Sequence, residues 1–266
     1  MIGLVLCAAS ILYHTVLLHL LKKLVAACFK DIGAKEVCSA ANWLVSILNA
    51  GLATLVGCFA VRAIDNDLLD TRLEFLKPYA WFSLGYWIYD MSCMFLIITT
   101  LDKQSEKKDE KGDGLVGKIV KFVRWWPGIV FHHVGMILFL VLGITGTNRV
   151  RGDGIVGLSL LMEFSSIFVA FRSFLGSIGQ KGSRIYVTAG ILMVVAFFLA
   201  RIIFLPYIIH LYSVQVRLSF LQGVASLPLT CSVSTFAFYC LNVYWFSLMV
   251  KGCVKLAQRS GRLKAQ

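Results

Sequence analysis

The chain has 266 residues, of which 58% are hydrophobic and 15% charged, with a mean hydropathy of +0.78 and a formal net charge of +12. A water-soluble domain carries about 25% charged residues, so there is too little polar surface here to wrap a soluble globule. The excess of positive charge lies between and after apolar runs, not in a basic stripe interleaved with base-stacking aromatics, and this excludes a nucleic-acid surface.

Stretches without Asp, Glu, Lys or Arg cover 1–21, 37–61, 125–148 and 218–250, and a helix of about 20 apolar residues spans the hydrocarbon core. The chain therefore reads as an all-α polytopic membrane bundle of seven transmembrane helices. The expected spans are 1–21, 40–62, 79–101, 128–147, 154–174, 185–205 and 231–250. The first has no basic leader and no small-residue cleavage site, and Lys22 and Lys23 close it as a stop-transfer would, so it is read as a retained helix and not a signal peptide. Its histidines, His14 and His19, are expected near span ends, where an amphipathic ring sits at the interface. The segment Asp102–Gly114, "DKQSEKKDEKGDG", reads as a solvated mixed-charge loop. Pro228 divides the last long gap, which makes 206–230 a re-entrant or interfacial piece with His210 just past the sixth span.

Seven spans divide the basic residues by side. The 22–39, 102–127 and 172–184 loops and the tail together hold nineteen Lys and Arg, the opposite side holds six, and Arg201 lies within a span. The positive-inside rule then sets the C-terminus in the cytosol and the N-terminus in the lumen.

Charge inside a bilayer is costly and usually faces the bundle interior. Asp90 stands in "GYWIYDMSCMF", His132 and His133 open the fourth span in "PGIVFHHVGMIL", Glu163 stands in "LLMEFSSIF", Arg201 in "FFLARIIFLPY" and Asn242 in "CLNVYWF". Arg201 with one of the two carboxylates is expected as an ion pair that holds helices together, and Asn242 as an interhelical hydrogen-bonding residue. Trp125, Trp126, Tyr207, Tyr212, Tyr244 and Trp245 fit an interfacial belt. Neighbouring histidines on a helix point about 100° apart. One can face a chamber while the other packs on an adjacent helix, and the pair makes a poor metal grip. Five histidines are too few for the several boxes of a membrane di-iron enzyme. The eight cysteines include no C-x-x-C pair, so no metal site is expected. A histidine here can act as general base or nucleophile, near enough to the cytosolic face to join a soluble activated donor to a lipid-held acceptor.

The ordered series "FHHVGMILF", "LLMEFSSIFVAFR", "ARIIFLPY" and "NVYWFSLMVKG", with "WIYD" at Tyr89-Asp90, resembles the TLC domain of ceramide synthases, translocating-chain-associated membrane proteins and smaller TLC-domain-containing proteins. It is most similar to those of the family-with-sequence-similarity 57 type. The resemblance covers residues 35–258, preceded by a helix and cytosolic loop at 1–34 and followed by a basic tail at 259–266. It implies six helices in a TLC-type barrel around a chamber, in the endoplasmic reticulum membrane. His132 and His133 would serve acyl transfer from acyl-CoA to a sphingoid base, with no bound cofactor, and Asp90, Glu163, Arg201 and Asn242 would line or brace the chamber. The implied partners are membrane lipids, the sphingoid base and acyl-CoA, with homodimerisation left open and no nucleic acid. One departure stands out: the synthases carry a His-Asp element one helix after the His-His pair, and here that stretch has Glu163 and no histidine. The homeobox-like insertion of some synthases is absent too. Two functions follow: sphingolipid or ceramide N-acyl transfer, and a non-enzymatic lipid-binding protein that regulates membrane lipid composition.

Overall fold

The computed structural model describes residues 1–64, 67–100, 114–145 and 152–264, and among these every regular element is helical. In chain order they are α1 (Ile2–Cys28), α2 (Ala34–Arg62), α3 (Leu76–Thr100), α4 (Leu115–Trp125), α5 (Pro127–Thr145), α6 (Asp153–Leu161), α7 (Phe164–Ser177), α8 (Arg184–Phe197), a π-helical turn (Phe198–Ile203), α9 (Phe204–Gln215), α10 (Phe220–Ser226) and α11 (Leu229–Lys264). Among the described residues seven runs are long and apolar enough to cross a membrane: Ile2–Cys28, Ala34–Arg62, Leu76–Thr99, Pro127–Ile144, Asp153–Ser177, Arg184–Gln215 and Leu229–Lys255. Each contains most of one expected span. A backbone without water must satisfy its own polar groups, which is why apolar runs of this length become helices.

The helices form two compact units. One comprises Met1–Asn49, Leu73–Val150 and Ser173–Gly179, the other Ala50–Arg72, Arg151–Arg172 and Gln180–Gln266. In the first, α1 lies along α3 and α3 packs on α5. Gly85 is what lets α1 and α3 approach: a Cβ there would collide with the Cys7 carbonyl and Ser10 Cβ. Small residues at a crossing matter because lipid tails leave packing as the main drive for helix association. Around this crossing Val45, Tyr86, Trp87 and Tyr89 are buried, and Met136, Ile137 and Leu140 of α5 pack against them. In the second unit Leu158 of α6 and Met162 just beyond its end meet Ile208 of α9, and α11 packs on α8 and the π-helical turn, where Phe246 stacks on Phe198 at 5.3 Å.

Three features depart from the expected spans. The sixth span does not stop at 205. Pro206 lies inside the helical run that ends at Gln215. An interior proline removes one backbone donor and crowds the carbonyl four residues back, here that of Ile202, which falls within the π-helical turn where the ladder is already loosened. The piece expected at 206–230 is thus the end of that span, a turn, and the seven-residue α10 with a Ser219/Gln222 capping box. In the fifth span α6 and α7 are joined through Met162 and Glu163 by tight turns, Glu163 N–H to Leu160 O and Ser165 N–H to Met162 O. Finally, α4 forms inside the expected 102–127 loop. Of the expected mixed-charge loop Asp102–Gly114, all but Gly114 lies outside the described residues.

Candidate functional site

Span-borne polar residues form two clusters, each closed within its own unit. The first unites α2, α3 and α5. Asn42 Nδ2 donates to Asp90 Oδ1 at 2.9 Å, and Tyr89 Oη donates to Asn42 Oδ1 at 2.9 Å. His133 Nε2 lies 2.8 Å from Asp90 Oδ2, and His133 Nδ1 lies 2.9 Å from the Ile129 carbonyl. The last contact is the helix's own: residue i−4 places that carbonyl beside the ring. Asp90, His133, Asn42 and Tyr89 are each 7% exposed or less.

The donor count decides the protonation of this set. The Ile129 carbonyl can only accept, so Nδ1 carries a proton. A second proton must then lie between Nε2 and Asp90, since two bare acceptors would repel. The pair is therefore an imidazolium beside a carboxylate or an imidazole beside a carboxylic acid, neutral overall, and both nitrogens of His133 are engaged. Asn42 completes the chain by using its amide as donor to Asp90 and as acceptor from Tyr89.

His132 has a different setting. It is half-buried, its ring meeting Trp87 edge-on at 5.1 Å and His133 at 5.7 Å with perpendicular planes. Trp87 contacts both histidines, with His133 also at 5.1 Å. The two rings thus share Trp87 and differ in burial, His133 buried and His132 half-buried.

At a rise of 1.5 Å per residue, His133 lies about 9 Å from the start of α5, Asn42 about 12 Å from the start of α2 and Asp90 about 15 Å from the end of α3. By chain alternation all three ends are on the side of the 22–39 and 102–127 loops, the side rich in Lys and Arg.

His14 joins this neighbourhood from α1. The sequence suggested an interfacial ring, but the structure buries it to 2% exposure. Its Nδ1 lies 2.8 Å from the Ser10 carbonyl, and its ring stacks on Tyr89 at 5.5 Å and packs against Tyr86 and Phe82 at 5.1 and 5.4 Å. The reason is geometric: α1 runs to Cys28, so His14 is near mid-helix and not near an end. His19 is exposed, as an interfacial ring should be.

The second cluster holds the other ion pair. Arg201, in the π-helical turn, directs one terminal nitrogen to Glu163 Oε1 at 2.8 Å and to Ser166 Oγ at 2.9 Å, and its Nε donates to Ser165 Oγ at 3.1 Å. Ser166 Oγ also donates to Glu163 Oε2 at 2.9 Å. Glu163 sits at the junction of α6 and α7, so broken helix geometry on both sides presents these groups. Arg201 with one carboxylate is as expected, and the carboxylate is Glu163. Asn242 is buried in the same unit on α11. Spacing puts it on the helix face of Phe246, which packs on the π-helical turn. Among the described residues its side chain makes no hydrogen bond to the Arg201 cluster.

Asn42, Ser165 and Ser166 were not singled out from sequence, and His14 was placed at the interface. Pairs at i, i+4 on one helix face, Ser10 with His14 and Asn42 with Ser46, were the available signal.

The family model for the TLC domain matches residues 39–251. The chain belongs to the TLC-domain family. Asn42, Tyr89, Asp90, His132, His133, Glu163, Arg201 and Asn242 all lie within the TLC domain as matched, and His14 lies before it. A relative, the human TLC domain-containing protein 4, is 34% identical over 109 residues, which is 40% of this chain and 41% of that protein. The match thus spans well under half of that TLC-domain relative. No solved structure matches. The chain is a multi-pass membrane protein of this family.

Proposed function

We propose that the chain is a lipid-binding protein of the endoplasmic reticulum membrane that acts on membrane lipid composition without itself forming or breaking bonds. The observation that carries this reading is the saturation of His133. One nitrogen is committed to a backbone carbonyl and the other to Asp90, so the ring has no site left to take a proton from a substrate amine. Glu163, which stands where the synthases have a further His-Asp element, is likewise committed to Arg201 and Ser166. Both sets then serve to hold polar groups at fixed depth inside the membrane. The basic residues, nineteen against six by side, support a cytosolic C-terminus and a lumenal N-terminus.

A second reading, N-acyl transfer from acyl-CoA to a sphingoid base, is favoured by His132. Its ring stands beside His133 on the basic side of the membrane, where a soluble thioester arrives, and the Asp90–His133 pair would fix its position through Trp87. General base catalysis by His132 is the chemistry that reading requires.

One experiment separates them. Purified protein in nanodiscs is given labelled acyl-CoA and sphinganine, beside a His132→Ala variant, and the lipids that copurify are quantified. Retained lipid near one per chain with no acylated product is the expected result. Product from the wild type that disappears in the variant overturns the binding reading in favour of acyl transfer.

A further inference from the structure

We infer that α4 is an in-plane membrane helix that docks on anionic lipid headgroups at the basic side. At 100° per residue, Leu115, Val116, Ile119, Val120 and Val123 share one arc of α4, and Lys118, Lys121 and Arg124 share the opposite one. The apolar arc is open: Leu115 is 66% exposed, Val116 74% and Val120 59%. Only Phe122, at the edge of that arc, is buried, with its ring edge-on to Phe95 of α3 at 5.6 Å.

Three constraints identify the occupant. First, the C-terminal end of α4 is tethered to the membrane surface. Trp126 alone separates it from the membrane-spanning α5, and two residues reach about 7 Å at most. Second, the junction carries Trp125 and Trp126, half-exposed, of the type that settles at headgroup level. Third, a short helix with an open apolar arc and a basic opposite face lies in the interface with its apolar side in the acyl boundary, and the charge complement of its basic face is an anionic leaflet. The basic side of this chain is where α4 emerges.

The placement links the lipid surface to the first polar cluster. Phe95 is five residues beyond Asp90 on α3, and His133 is eight residues beyond Trp125. Both ends of the Asp90–His133 bond thus belong to helices that α4 touches or continues. This inference does not depend on which proposed function is right.

The test uses the full chain in nanodiscs of phosphatidylcholine alone or with phosphatidylserine. An environment-sensitive fluorescent amino acid is introduced singly at Val116, Val120 or Gly117, the last on the basic face. Probes at 116 and 120 should be quenched by brominated acyl chains and protected from aqueous iodide, with the reverse at 117. Phosphatidylserine should strengthen acyl-chain quenching at 116 and 120. The basic-face double variant Lys118→Gln/Arg124→Gln should lose that gain, weakening docking on the order of thirtyfold. Iodide access equal at all three positions would overturn the inference, because α4 would then be surrounded by water. Protection of 116 and 120 from both quenchers would overturn it in favour of a protein partner, and equal quenching with and without phosphatidylserine would overturn the anionic-lipid assignment.

Discussion

Asp90 has a hydrogen-bond partner at each carboxyl oxygen, Asn42 on one and His133 on the other. Removing one partner of a buried pair leaves an uncompensated group in low dielectric, at roughly 3–5 kcal/mol. Asp90→Ala and His133→Ala should therefore each lower the thermal stability of the purified protein strongly. The joint substitution Asp90→Leu/His133→Leu should cost less than either single change, because both polar groups then leave together. A double variant no more stable than the singles in the same detergent would contradict the pairing. Asn42→Leu strands Asp90 Oδ1 and the Tyr89 hydroxyl at once, about 1–3 kcal/mol, whereas Tyr89→Phe removes one donor and should cost about 1 kcal/mol. Comparing their melting temperatures checks the direction of the chain. At this scale the sequence was partly legible. A charge in an apolar run declares itself, so Asp90, His132, His133, Glu163 and Arg201 were all visible. Their pairing was not, because it depends on which helices are neighbours; Asn42 carries no charge that would have marked it, and His14 was visible but assigned to the interface because α1 was expected to end at residue 21.

The helices themselves follow from the lengths of apolar runs and the charges that bound them, so all seven spans were readable. Their interruptions were not. The broken fifth span and the π-helical turn leave no mark on hydropathy, because the residues there remain apolar on average. Helix α4 escaped for the opposite reason: a basic residue at every third position breaks the run that a window would detect while building an amphipathic face. Two substitutions probe element geometry. Gly85→Val should separate α1 from α3 and destabilise the fold, with the cost read from thermal unfolding, since the added atoms meet the Cys7 carbonyl. Arg217 closes α9 at a φ of 57°, with its own N–H on Val214 O and the next N–H on Ser213 O. A left-handed conformation costs an L-residue roughly 1–2 kcal/mol, so Arg217→Gly should raise stability by about 1 kcal/mol. A lowered melting temperature would mean that the arginine side chain contributes more than its backbone costs.

For the whole molecule, the alternation of seven spans makes a single prediction about sidedness. A glycosylation acceptor inserted between Leu101 and Gly114 should stay unmodified, and one inserted between Gly146 and Arg151 should be modified in cells. The opposite pattern would invert the molecule. The turn at Phe198–Ile203 has a consequence for how this chain tolerates change in length. Each residue added to or removed from a helix rotates everything beyond it by about 100°. The wide turn holds more residues than an α-helical turn would, so deleting one of them would let the sixth span relax into regular winding. The cation at Arg201 or the contact at Ile208 would then be turned away from its partner, depending on which side of the deletion it fell. That stretch works as a vernier, matching the guanidinium on one part of the span to Glu163 while keeping Ile208 in register with Leu158 and Met162. Loops elsewhere can gain or lose residues; here the count itself is the constraint.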